Sequence, residues 1–198
     1  MRLRRLSRAE LPVASAALAR FLIGKTLVRT VPGGRMLGRI VETEAYLPHD
    51  AACHAFRGMT RRNRALFLER GHAYVYFIYG NHFMLNVSAE EAGIGGGVLL
   101  RALEPLQGLE LMHKRRGRVP DRALAQGPGR LAQAFRVDMR LEGADLCAAG
   151  PLWLGTPLEP VGRIGRSVRI GINKDAHRRL RFYERGNACV SGPAALRA

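Results

Sequence analysis

The sequence predicts an α+β fold: a single domain, residues 1–198, in which a curved, largely antiparallel sheet is flanked by helices and carries a protruding β-hairpin. Three observations predict it. Short strand-like runs rich in β-branched and aromatic residues recur along the chain, separated by turn signals. A few segments between them carry helical patterning or helix start signals. The chain is 198 residues long and 47% hydrophobic, which suits one packed core better than two.

The elements follow in order. Residues 1–9 read as a flexible basic N-terminus. Leu11, Ala14, Leu18, Phe21 and Leu22 share one helical face, so a helix is expected over 11–22, with Pro12 in its first turn and Gly24 as its stop. Ser7 and Glu10 have capping-box spacing and offer an alternative start, but Pro12 would then sit too deep. Lys25–Thr30 and Arg35–Tyr46 read as strands around a turn at Pro32, Gly33 and Gly34. His49–Arg70 is a loop with a short helix and holds Arg57, Arg61, Arg62, Arg64 and Arg70. His72–Tyr79 and His82–Ser88 form a hairpin around Gly80 and Asn81. A glycine-rich turn at 93–97 precedes a strand over 98–103. Helices are expected over 105–116 and 128–135. Short strands are expected around Trp153 and over 168–172, 180–184 and 189–191.

Charge is the unusual feature of the composition. Lys and Arg total 32 against 16 acidic residues, a net charge of +16. Such a surface repels itself and calls for a polyanionic partner, nucleic acid first and an anionic membrane surface second. Lys25, Lys114 and Lys174 are the only lysines. Cys53, Cys147 and Cys189 are odd in number and widely spaced. They support neither a disulfide framework nor a cysteine-rich zinc site and fit a reducing, bacterial-type cytosol. The basic start followed by an apolar run at 11–19 is too short for a secretory signal and is broken by Pro12. No stretch approaches a membrane span.

Four groups of residues could carry chemistry. In the second strand, alternation puts Glu42, Glu44 and Tyr46 on one face. Two like charges beside an aromatic are a costly strand choice that asks for a reason. Glu44 is the candidate general base; the alternative is a carboxylate paired with one of the many arginines. Tyr74 and Tyr76 share one face of the first hairpin strand, while Tyr79 falls on the other, at the hairpin tip. Aromatics there suit stacking on bases or wedging between them, although Tyr74 suits core packing better. His49, His54, His72 and His82 match no metal-ligand spacing, so no metal or other cofactor is expected. The glycines at 93–97 lack the setting of a phosphate loop.

Several strings together carry a specific resemblance: Arg39–Tyr46 (RIVETEAY), Arg62–Arg64, Tyr74–Tyr76 with Ile78–Gly80, Leu99–Pro105 (LLRALEP), Gly127–Pro128 with Leu131, and Arg181–Tyr183 with Arg185–Gly186. They resemble, in order and spacing over about residues 18–191, the alkyladenine (3-methyladenine) DNA glycosylases of mammalian type. The resemblance implies a monofunctional base-excision enzyme acting on double-stranded DNA that contains damaged purines. It implies Glu44 as the residue that activates water and Arg101 as its helper. It places Tyr46, His54, Tyr76 and Asn86 around the flipped base, and the Ile170 carbonyl near the water. It implies Tyr79 as the side chain that fills the vacated stack, with Asn81, His82, Thr60, Arg61, Arg62 and Arg64 at the DNA. The chain departs from the mammalian pattern at Asn81 and His82, at Arg61, and in a loop before His54 that is one residue shorter. A monomer is expected. A non-catalytic basic RNA- or DNA-binding module would explain the charge but not the paired glutamates, and a metal-dependent nuclease would need Glu42, Glu44 and a histidine together.

Overall fold

A computed structural model describes residues 2–193. Eight strands form one antiparallel sheet: β1 (Thr26–Val31), β2 (Gly34–Tyr46), β3 (Ala73–Ile78), β4 (His82–Ser88), β5 (Gly97–Gln107), β6 (Leu152–Gly155), β7 (Ile164–Ser167) and β8 (Arg181–Glu184). The order is β3-β4-β5-β2-β1-β6, with β8 added to β2 and β7 to β8. Three α-helices pack on it: α1 (Ser15–Leu22), α2 (Leu109–Arg116) and α3 (Pro128–Ala134). The expected α+β class with a curled antiparallel sheet is what the structure has. Among the described residues no helix is long and apolar enough to cross a membrane.

Strand β2 organises the rest. One edge pairs with β5 from Leu37 to Tyr46. The other edge pairs first with β1 (Gly34–Arg39) and then with β8 (Glu42–Glu44). Register shifts fall on either side of Glu42. An extra residue there bends the strand where its neighbour changes, as bulges do near active sites. Helix α1 buries Leu18, Ala19 and Leu22, and Thr43 ties it down by donating its hydroxyl to the Ala19 carbonyl at 2.9 Å. Each fully buried leucine contributes about 1.5–3 kcal/mol.

Five expectations differ from the structure. Helix α1 begins at Ser15 rather than 11, after Ala14 at φ 80°. Its first amide and the Ser15 hydroxyl both donate to Glu90, a cap 75 positions away. The capping box at Ser7 exists but serves a single 3-10 turn. Helix α2 begins at Leu109 rather than 105, because β5 runs on to Gln107 and tolerates Pro105 at a register shift. The strand expected over 168–172 lies at Ile164–Ser167, and residues 168–172 form a loop. Residues 189–191 are also loop. Finally, the expected flexible N-terminus is packed. Leu6 is buried with its amide on Leu154, and Arg8 donates to Asp145 at 2.6 Å.

Candidate active site

The chemistry is set at the bulged end of β2. Glu42 and Glu44 have no exposed surface, and a buried charge is tolerated only with partners. Glu42 accepts from Arg101 Nε (2.9 Å), Arg181 Nε (2.6 Å), the Ser191 amide (2.6 Å) and the Ser191 hydroxyl (2.9 Å). Three of these four bonds fall on its Oε1. Glu44 is less crowded. Its Oε1 accepts the Ile170 amide at 2.7 Å and lies 3.2 Å from Arg101 Nη1; its Oε2 accepts the Tyr46 hydroxyl at 2.9 Å. Oε2 therefore keeps a lone pair for another donor. Burial works against the Arg101 charge, but Glu44 and then Glu42 outweigh it and hold the guanidinium more firmly protonated.

These groups close the floor of a cleft of about 350 Å³, a size suited to a small ligand. Tyr46, His54, Tyr76, Asn86, Arg101 and Ile170 all line it. Glu44 lies one contact behind, reached through the three groups that bond it. Burial, then the neighbouring Glu44, pushes the Tyr46 phenol well above its ordinary value, so it stays a donor. Burial likewise pushes Tyr76 up to about 12. His54 is edge-on to Tyr76 at 4.6 Å between centroids, and its Nδ1 is 2.8 Å from the Tyr74 hydroxyl. Lost hydration on that packed side, with the charge of Arg62, lowers the His54 pKa. Tyr74 is buried, as its core reading required, and Asn86 is held by the Tyr74 carbonyl at 3.2 Å.

At the hairpin tip Tyr79 is 74% exposed and lies at φ 57°, followed by Gly80 at φ 71°. Glycine adopts this region freely, but a tyrosine held there carries strain, which tends to collect at functional sites. Asn81 is exposed beside it. His82 is half-buried and turned toward α3; a Cβ on Gly129 would come within 3.0 Å of its ring, so the contact needs glycine there. Thr60 is tied to Asn63, and Arg61, Arg62 and Arg64 are exposed on the neighbouring loop.

The sequence reading missed the supports behind this site. Arg169 and Asp50 form an ion pair with fully buried side chains. Arg169 also donates to the Ala45 carbonyl at 3.0 Å and the Asp175 carbonyl at 3.3 Å. Its guanidinium carbon stands 4.7 Å from the Tyr46 ring centroid. Arg181 and Ser191 play the corresponding part for Glu42. An available signal was arginine inside apolar runs, Arg169 between Val168 and Ile170 and Arg181 between Leu180 and Phe182, in a chain with two acidic residues to neutralise in a strand. As for a metal nuclease, Glu42 is engaged by two arginines and by the Ser191 amide and hydroxyl. Among the described residues no group of three or more His, Cys, Asp and Glu is placed to hold a metal ion.

A basic protein with an aromatic cleft, a buried carboxylate one contact behind its floor and an exposed strained aromatic at its rim is built as an enzyme that works on single bases of nucleic acid. The comparisons make that class specific. The family model described as methylpurine-DNA glycosylase (MPG) matches residues 10–188. A protein of Mesorhizobium japonicum is 62% identical over 96% of this chain and 92% of its own length. One from Paraburkholderia phytofirmans is 51% identical over 96% and 90%, and one from the archaeon Methanocella arvoryzae is 46% identical over 88% and 89%. Each bears the name "Putative 3-methyladenine DNA glycosylase". The chain belongs to the methylpurine-DNA glycosylase family: it is a DNA glycosylase of base-excision repair, with damaged DNA as its substrate.

Proposed function

We propose that the protein excises alkylated or deaminated purines from duplex DNA, among them 3-methyladenine, 7-methylguanine, hypoxanthine and ethenoadenine, with Glu44 as the general base. The carrying observation is the Glu44 carboxylate, bonded by Tyr46, Arg101 and the Ile170 amide behind the floor of a purine-sized cleft. Exposed arginines 57–64 grip the backbone, and phosphate contacts supply most of the affinity. Extruding a base costs a few kcal/mol, least at a damaged pair. Tyr79 offsets that cost by filling the gap.

In the cleft the purine lies between the walls of Tyr46 and Tyr76, with Asn86 at its edge. A water held at Glu44 Oε2 gives its proton to the carboxylate as its oxygen bonds to the sugar carbon. The glycosidic bond breaks, and its electron pair leaves with the base. On a base alkylated at N3 or N7 that pair neutralises a positive charge, so no proton is needed at the leaving group. Arg101, steered by Glu42, fixes the carboxylate, and the Ile170 main chain completes the water's surroundings. Lys25, Lys114 and Lys174 lie outside the cleft lining, so no lysine amine is at hand for a Schiff base and the product is an abasic site. The enzyme acts as a monomer in the cytosol, where its three cysteines remain free thiols.

Glu44→Gln tests this. The variant is expected to bind duplex carrying the lesion as the parent does and to lose excision by about 10²–10⁴-fold under single-turnover conditions. Normal excision by the variant removes Glu44 from the mechanism.

A further inference from the structure

The two aromatic walls of the cleft have different backing. Arg169 stands over Tyr46 but does not line the cleft, so it covers the ring's buried face and leaves the other to the ligand. Tyr76 has rings alone against it, His54 at 4.6 Å and Tyr74 at 5.3 Å, and both of these also line the cleft. Among the described residues no cation stands over the Tyr76 ring.

A ring attracts a cation to either face, but a second cation meets the first across the ring. A base stacked on the open face of Tyr46 puts its positive charge roughly 8 Å from the guanidinium. Unpaired, and at an effective dielectric near 20, that repulsion is worth roughly thirtyfold in binding. Asp50, bonded to both terminal nitrogens of Arg169, lies at most about 12 Å from that charge and cancels two thirds or more of the repulsion, leaving about threefold or less. A neutral purine pays no such penalty.

We infer that Arg169, poised against Asp50, sets the enzyme's preference between charged and neutral bases, making Tyr46 a stacking wall and leaving Tyr76 as the wall that attracts positive charge. This rests on the proposed function and deepens it. Arg169 is also a positioning residue, because the next amide holds Glu44. Its replacement therefore slows excision of every base, and the ratio between bases separates the two roles.

The test measures single-turnover excision from duplexes carrying 7-methylguanine, which is cationic, or hypoxanthine, which is neutral. The double variant Asp50→Asn/Arg169→Gln removes both charges. It is expected to slow on both substrates while its 7-methylguanine-to-hypoxanthine ratio rises about two- to threefold. Arg169→Lys keeps the charge and should leave the ratio at the parent's value. Asp50→Asn, which leaves the cation without its counter-ion, should move the ratio the opposite way. If the polar double variant melts below the assay temperature, Asp50→Leu/Arg169→Met replaces it, since an apolar pair often substitutes for a buried ion pair without loss of stability. An unmoved ratio in the charge-free variant, or an equal rise in Arg169→Lys, overturns the inference. A parent enzyme that releases neither base overturns the proposed function instead.

Discussion

Behind Tyr46 lies a buried ion pair, Arg169 with Asp50, closed by the main-chain oxygens of Ala45 and Asp175. Beside Tyr76 lie Tyr74 and His54, joined by one hydrogen bond of 2.8 Å. The first wall is held by charge, the second by stacking and a neutral contact. Stacked rings lose stability piecemeal when one is trimmed. An ion pair without water does not, because losing either partner strands the other. Burial raises the Asp50 pKa, yet the Arg169 bonds and the Ala52 amide hold it below the usual carboxylate range. The pair is therefore a unit and not two tolerant residues.

The difference can be broken in graded steps. Asp50→Asn strands Arg169 and should cost about 3–5 kcal/mol in denaturant unfolding; a cost under about 1 kcal/mol would put the two walls on the same footing. Tyr74→Phe removes only the hydroxyl facing His54 and should cost about 1 kcal/mol by the same measurement. A smaller effect comes from acid. The His54 pKa is lowered from 6.5 in the folded state, so the unfolded chain takes up the proton more readily. The stability this gives is complete above the ordinary histidine range and falls as pH drops below about 6.5. Unfolding free energies between pH 5 and 7 should show that slope in the parent and a shallower one in His54→Gln. Smallest of all, Tyr79→Gly relieves the left-handed backbone at the hairpin tip. Stability should change by only tenths of a kcal/mol, because glycine's gain in the turn is offset by its freedom in the unfolded chain, while excision from duplex falls.

Local pattern made much of this legible. Period-two alternation put Glu42, Glu44 and Tyr46 on one face, and Arg101 bonds both carboxylates as that face requires. The hairpin and the exposure of Tyr79 followed from residue type, although the strand ends at Ile78 and the turn takes in Tyr79 as well as Gly80 and Asn81. What stayed hidden was made by partners far along the chain. Glu90 caps α1 across 75 positions, so no motif near residue 15 announces the start. Residues 168–170 have the composition of a strand, but Arg169 turns inward to Asp50, 119 positions away, and the Ile170 amide goes to Glu44 rather than to a neighbouring strand. Propensity describes a residue's neighbours in sequence; those two bonds are decided in space.

The forked pairing of β2 bears on how the enzyme fails. A strand bonded along both edges opens only when the whole sheet does, whereas the tip of β3 and β4 can fray by itself. Glu44 sits on the first and Tyr79 on the second. On the roles proposed for these two residues, warming should disarm damage recognition before it disarms hydrolysis, so that a heated enzyme still cleaves lesions already presented in single strands after it has stopped finding them in duplex.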